Sequence, residues 1–528
     1  MKKAMKKLMA ALLAVAMVCA MAIPAFAGTE GDITKWHSFS AFQIFTGDVS
    51  EDNKKISNAN WGKSITNPDI FLEKLKGDLT IGNQFSKAKN AQDVLAVISK
   101  WHNSDDNSIA FARVVCHYLY PDANATPEPA VKGGGGSDFL HFDEAGYYLV
   151  VDTTPFNPGD FDHAYNSFLL MVTPKNWNVP ITPKAEKPTV EKEVFDNFDN
   201  QDGTSTGGFG SSADHAINEK FQFKLTATLP ASTDHAYDYY DTYAVCFKDT
   251  LSEGITYDGP DSVVIKSNNN TYDTTIDPSK YTITESQNSF VVKIPDVKTC
   301  AEGLDLNDGA TITVTYTAHL NDKAYVNTGS GSTENKNSVQ LQYSNNPRPG
   351  EYWGTTPKSE VYVYTYQLNN TKRAEKEDGT PLPGAVFQLY SDKDCTQEVK
   401  LYKVGNIYFP IKDATDKAKD AVQMISGQDG QFNVKGLDAG TYYLKETTPP
   451  AGYSACPDTT IVISATHNGN HVELDSSKLS TTIINKKDGG ITLPSTGGIG
   501  TTIFYVVGGG LMAAAAILLI TKKRMENR

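Results

Sequence analysis

Ala439-Gly440-Thr441-Tyr442-Tyr443-Leu444-Lys445-Glu446-Thr447-Thr448-Pro449 has a glycine at its second position, alternates in character and stops at a proline. Residues two apart on an extended chain share a face, so Tyr442, Leu444 and Glu446 point one way and Thr441, Tyr443 and Lys445 the other. The stretch reads as a strand with an acid on its apolar side. Far upstream, Ala145-Gly146-Tyr147-Tyr148-Leu149 followed by Asp152-Thr153-Thr154-Pro155 echoes it. The first and last parts of the chain are therefore expected to share an architecture.

Working outward from this strand, Asp378-Gly379 and Asp429-Gly430 are hairpin turn signals in a C-terminal β domain, residues 351–490. Before it, short β-branched and aromatic stretches run up to Tyr343 and predict an all-β middle domain, residues 186–350. Proline-spaced connectors at 179–188 and 345–350 bound that domain. The N-terminal domain, residues 28–185, is mixed: strand-like at 33–45, 147–151 and 168–172, with helix-spaced apolar residues at 70–75, 91–101 and 109–119. The fold class is mainly β, the first domain carrying a helical insertion. A chain of 528 residues is long enough for about three domains of roughly 150 residues each.

Both ends lie outside those domains. Lys2, Lys3, Lys6 and Lys7 precede an apolar run and then Ala25-Phe26-Ala27, the pattern of a secretory signal peptide over residues 1–27. At 491–528, Leu493-Pro494-Ser495-Thr496-Gly497 precedes an apolar span, 499–520, and the basic Lys522-Lys523-Arg524. The span meets the length of about 20 residues that a bilayer core needs. A plain membrane anchor has no use for the pentapeptide, so the three features in this order read as a cell-wall sorting signal.

The chain has 62 Asp plus Glu against 48 Lys plus Arg, a formal charge of -14, which disfavours nucleic acid or anionic lipid as partners. Of six cysteines, Cys19 falls in the signal peptide, and the odd remainder argues against a disulfide framework. Cys395 and Cys456 share the C-terminal domain and are the one pair put forward as a disulfide; Cys246, in an apolar strand, reads as a buried thiol.

Several polar residues fall on apolar faces. In the middle domain Lys192 lies between Val190 and Val194, Asp249 follows Tyr243, Val245 and Phe247, and Asn337 precedes Val339, Leu341 and Tyr343. In the C-terminal domain Lys372 shares a face with Tyr366 and Leu368, Glu446 with Tyr442 and Leu444, and Asn485 with Ile483. Each domain thus presents one amine, one acid and one amide to its core. Any one Lys taken alone is better read as snorkelling from a strand end. Recurrence in two domains favours a joint explanation, because a lone buried amine costs several kcal/mol. A Lys to Asn amide is one: burial favours a neutral, nucleophilic Lys and a protonated acid that polarises the carboxamide and relays protons as ammonia leaves.

These residues resemble the isopeptide-forming, LPXTG-anchored backbone (major) pilins of Gram-positive bacteria. Tyr442-Tyr443-Leu444-Lys445-Glu446-Thr447-Thr448-Pro449-Pro450-Ala451-Gly452-Tyr453 looks like their E-box, Thr482-Ile483-Ile484-Asn485 like their last strand, and Leu382-Pro383-Gly384-Ala385-Val386-Phe387 like the second strand of a collagen-adhesin B-type domain. Asp249-Thr250-Leu251 with Gly254-Ile255-Thr256-Tyr257 looks like the acid-bearing segment of the family's middle domain. The resemblance implies tandem immunoglobulin-like, collagen-adhesin-type β-sandwiches, with Asp249 and Glu446 promoting Lys192–Asn337 and Lys372–Asn485 bonds.

Val172-Thr173-Pro174-Lys175-Asn176 is similar to the family's pilin motif, with Thr173 where Tyr is usual; Lys184, after Pro183, is the alternative acceptor. By resemblance, a sortase cleaves between Thr496 and Gly497 and passes Thr496 to Lys175 of an identical subunit, and the fibre, with its minor pilins, is finally joined to peptidoglycan. The implied location is the cell wall and surface fimbriae, with transient membrane anchoring; a host ligand stays unnamed. The protein is then a sortase substrate rather than an enzyme, and no cofactor is expected. The alternative function is a monomeric wall-anchored adhesin or minor pilin. The first domain offers Asp152 and Lys35 but no convincing set, and no bond is expected there.

Other motifs are weak. No metal site is expected: His467 and His471 flank Asn468-Gly469-Asn470, which reads as a hairpin turn, and Gly208-Phe209-Gly210 reads as a polar loop.

Overall fold

The computed structural model describes residues 38–488, except 51–54, 103–104, 133–138, 154–163, 166–168, 176, 181–184, 187, 198–206, 234, 268–272, 328–334, 351–352 and 415–419, together with Lys522. The signal-peptide, sorting-pentapeptide and apolar-span assignments, and also Lys35 and Lys184, lie outside the described residues. Among those described, no helix is long and apolar enough to cross a membrane.

The chain is mainly β. In the N-terminal domain the central strand pair, Phe39–Val49 and Gly146–Asp152, is flanked by Ile56–Trp61 and Leu169–Thr173. Alternate residues bury opposite faces. Phe42, Ile44, Leu149 and Val151 meet the helices, while Phe39, Ala41, Tyr148 and Val150 meet Leu140, Phe142 and Val179. A sheet covered on both sides explains the continuous apolar run at 147–151. The insertion forms helices Pro68–Gly77, Ala91–Ile98 and Asp106–Leu119, begun by the caps Asn67, Asn90 and Asp105, whose side chains accept backbone N–H groups.

The middle domain is a sandwich of two sheets. One runs in the order Gly208–Gly210, Thr189–Asp196, Lys220–Leu229, Ala310–Leu320, Ile255–Ser267, Asp273–Thr275; the other runs Ser212–Asp214, Ser359–Tyr364, Lys336–Ser344, Val245–Leu251, Ser289–Ile294, Thr282–Ser286. Ala310–Leu320 buries every second residue, so Ile312, Val314, Tyr316 and Ala318 join one core. Two readings of the sequence need correction here. Gly208–Gly210 is an edge strand paired with Val194–Asp196 rather than a loop. Strands Trp353–Thr355 and Ser359–Tyr364, placed by a boundary at 350 in the C-terminal domain, pair with Lys336–Ser344 and complete the middle sheet. The connector at 345–350 looked like a linker because of its prolines, yet Asn346 is buried and donates to the Asp152 carbonyl at 3.2 Å.

The C-terminal domain packs the sheet Leu401–Val404, Ile407–Pro410, Val434–Leu437, Tyr366–Ala374, Ser480–Asn485 on the sheet Met424–Ile425, Val386–Tyr390, Gly440–Thr448, Thr459–Ile463. A hairpin, Ala465–Asn468 with His471–Leu474, reaches back to the middle domain. The Asp429-Gly430 turn needs glycine: φ is +78° at Gly430, and a Cβ there would meet the Lys372 carbonyl at 2.5 Å. The Gly430 carbonyl in turn accepts the Lys372 N–H at 2.8 Å.

Candidate functional site

Lys192, Asp249 and Asn337 converge inside the middle sandwich. Asp249 pairs with Val339 and Leu251 with Asn337 on adjacent strands, so the acid and the amide are diagonal neighbours on one inner face. Lys192 comes from the facing sheet, and all three are buried. Lys192 Nζ donates to Asp249 Oδ2 and, at 2.9 Å, to the Tyr316 hydroxyl. Tyr316 donates to Asp249 Oδ1 at 3.2 Å and accepts from Asn337 Nδ2. The walls are aromatic: the Phe223 and Tyr316 rings lie 5.0 and 5.2 Å from Nζ, and Phe290 packs edge-on to Tyr316 at 4.8 Å.

This pocket disfavours charge. Burial pulls the Lys192 amine down to about 8, against the opposing pull of Asp249, and pushes the Asp249 carboxyl up, against Lys192 and Tyr316. Asn337 Oδ1 is buried with no hydrogen-bond partner. The arrangement can therefore hold a neutral amine, a protonated acid and an unsatisfied carboxamide oxygen close together.

In the C-terminal domain the roles are distributed differently. Tyr366–Ala374 and Ser480–Asn485 are adjacent parallel strands with Lys372 opposite Ile483 and Ala374 opposite Asn485, so Lys and Asn share a sheet. Glu446 faces them from the other sheet. Lys372 Nζ contacts Asn485 Oδ1 and lies 3.2 Å from Glu446 Oε1, while Asn485 Nδ2 donates to Glu446 at 2.8 and 3.0 Å. Glu446 also accepts the Cys456 N–H at 2.8 Å, and Phe387 lies 5.1 Å from Nζ. Lys372, Glu446 and Asn485 are all buried.

The cysteine pair is corrected. Cys395 and Cys456 are separate thiols: Cys395 sits in a turn at φ +53° with Sγ 3.9 Å from Asp458, whereas Cys456 Sγ lies 3.6 Å from Lys372 Nζ. Sequence proximity could not show that one thiol faces out and the other in. Tyr316 is the residue sequence reading missed, although alternation puts it on the core face and its buried hydroxyl needed a partner. Lys175 is exposed, in the turn between Leu169–Thr173 and Trp177–Pro180, just after the buried Thr173.

Residues 369–478 match the SpaA family, described as a prealbumin-like fold domain, and 485–527 match the LPXTG cell wall anchor motif. The first span contains Lys372 and Glu446, and the second begins at Asn485. The anchor makes this a cell-wall-attached surface protein. No curated protein matches the sequence. Among solved structures, the T6 backbone pilin of serotype M6 Streptococcus pyogenes shares the fold, with a TM-score of 0.50 and 15% identity over 86% of this chain and 97% of that one. The full-length major pilin SpaD of Corynebacterium diphtheriae aligns with a TM-score of 0.42 and 19% identity, over 85% and 93% of the two chains. The chain thus combines a SpaA-type domain and an LPXTG anchor with the fold of that backbone pilin.

Proposed function

We propose that this protein is the structural backbone subunit of a covalent, sortase-assembled surface pilus, its two β-sandwiches locked by Lys192–Asn337 and Lys372–Asn485 amide bonds. The observation that carries the reading is the pair of buried Lys, acid, Asn sets in successive domains of a wall-anchored chain.

The chemistry balances without a cofactor. In the middle domain the neutral Lys192 amine attacks Asn337 Cγ while the protonated Asp249 supplies its proton toward the unsatisfied carboxamide oxygen, and Lys372, Asn485 and Glu446 are grouped for the same exchange. The carboxyl then carries the amine proton to the departing nitrogen. One C–N bond forms, one breaks and ammonia leaves. The chain is a sortase substrate with self-catalysed internal bonds, not a turnover enzyme.

Between subunits, sortase would hold the Thr496 carbonyl as a thioester and Lys175 of another subunit would attack it. The exposed turn leaves that amine accessible. A secretory signal, a temporary membrane span, minor pilins and final transfer to peptidoglycan complete the reading. Lys175→Ala in the native host is expected to abolish the high-molecular-weight ladder on denaturing gels. A persisting ladder moves the acceptor to another Lys, such as Lys184, and a wild-type chain that never forms one is a monomeric adhesin or minor pilin instead.

A further inference from the structure

Where the C-terminal hairpin touches the middle domain, three side chains meet that play no part in the Lys, acid, Asn sets. Asp196 ends strand Thr189–Asp196, Asp214 ends Ser212–Asp214, and His467 lies in Ala465–Asn468. One potential ligand atom from each falls within 4.8 Å of the others. Their side chains are 13%, 0% and 7% exposed.

Every outward-facing atom of the three is occupied. Asp196 Oδ1 accepts the Asp214 N–H at 3.2 Å, and Asp214 Oδ2 accepts the Tyr366 hydroxyl at 2.9 Å. His467 Nδ1 lies 2.9 Å from Ser212 Oγ, which also accepts the Gly469 N–H at 3.1 Å. The inward atoms differ. Asp214 Oδ1 and His467 Nε2 are buried without a hydrogen-bond partner, and Nε2 stands 3.6 Å from Asp196 Oδ2 and 3.7 Å from Asp214 Oδ1. Those gaps are too long for hydrogen bonds. They are near the separation of about 3.3 Å that neighbouring ligands show around an ion bound tetrahedrally at roughly 2.0 Å.

We propose that Asp196, Asp214 and His467 form a binding site for a divalent transition-metal ion that clamps the C-terminal hairpin to the middle domain. In the tautomer with the proton on Nδ1, donated to Ser212 Oγ, the Nε2 lone pair faces the two carboxylates. A proton on Nε2 would lie too far from either carboxylate for a hydrogen bond. One imidazole and two carboxylates suit zinc-class ions, with water as a further ligand. A neighbouring group, His215 with Glu219 and Asp438, does not qualify: His215 Nε2 is taken by the Phe195 carbonyl at 2.7 Å, and Glu219 accepts from Asn197 and the Ala216 N–H.

The test uses the full-length chain, purified in detergent, stripped with a chelator and titrated with Zn²⁺ alone, bound metal being counted by elemental analysis. One equivalent is expected. His467→Gln and Asp214→Asn should each weaken binding at least tenfold, Glu219→Gln should leave it intact, and Zn²⁺ should raise the melting temperature of wild type but not of the two ligand variants. Co²⁺ should give the intense visible absorption of a tetrahedral site, a readout on wild type that holds even if a variant misfolds. Absence of stoichiometric uptake by wild type, unchanged uptake in both ligand variants, or displacement of Zn²⁺ by equimolar Ca²⁺ would each overturn the proposal.

Discussion

Tyr316 donates its hydroxyl to Asp249 Oδ1 at 3.2 Å, and the Tyr316 oxygen itself accepts from Lys192 and Asn337. One phenol therefore touches every member of the middle-domain set. Tyr316→Phe keeps the ring packing against Phe223 and Phe290 but deletes that hub. A hydrogen bond between neutral groups is worth about 0.5–1.5 kcal/mol, so amide formation in the middle domain should slow roughly twofold to tenfold. Pulse-labelled chains should show delayed ammonia loss from that domain and normal loss from the C-terminal one; equal timing in both would remove Tyr316 from the chemistry.

Glu446→Ala should leave Lys372 and Asn485 unjoined and the amine buried without its acid. Breaking a buried pair costs about 3–5 kcal/mol. The residues are 113 positions apart, so the missing cross-link forgoes a further contribution of about 5 kcal/mol by chain-entropy reasoning. Thermal melts should show the C-terminal domain unfolding far below its wild-type temperature, with the middle domain still linked by mass. A wild-type melting curve would count against Glu446 as the promoting acid.

Asn337→Ala leaves Lys192 as a free buried amine, and its stability should depend on pH in a way the linked protein's does not. The folded-state value of about 8 lies below the unfolded 10.5, so between those values the unfolded chain holds more protons. Stability then rises with pH across that window, by on the order of 3 kcal/mol at most. Denaturant melts at pH 8 and 10 should show this rise in the variant beyond any in wild type. Parallel pH dependence in the two proteins would mean that Lys192 remains ionisable in wild type.

Much of this was legible in the sequence because strand alternation is a two-valued code. It put Lys192, Asp249, Asn337, Lys372, Glu446 and Asn485 on core faces, and all six are buried. What alternation cannot state is which sheet a strand joins. Hence the edge strand at Gly208–Gly210 and the late strand Ser359–Tyr364 were misplaced, and the different geometry of the two sets, across the sandwich in one domain and within a sheet in the other, was invisible. His467 was rightly read as part of a hairpin. Its partners Asp196 and Asp214 are distant in sequence, and only the packing of two domains brings them together.

The central claim is that two Lys–Asn amides form without assistance, and intact mass measurement of the mature chain tests it most directly. The account predicts a mass below that of the sequence by two ammonia molecules, with proteolytic fragments joined at Lys192–Asn337 and Lys372–Asn485. An undiminished mass, with all four residues recovered in unlinked peptides, would contradict it.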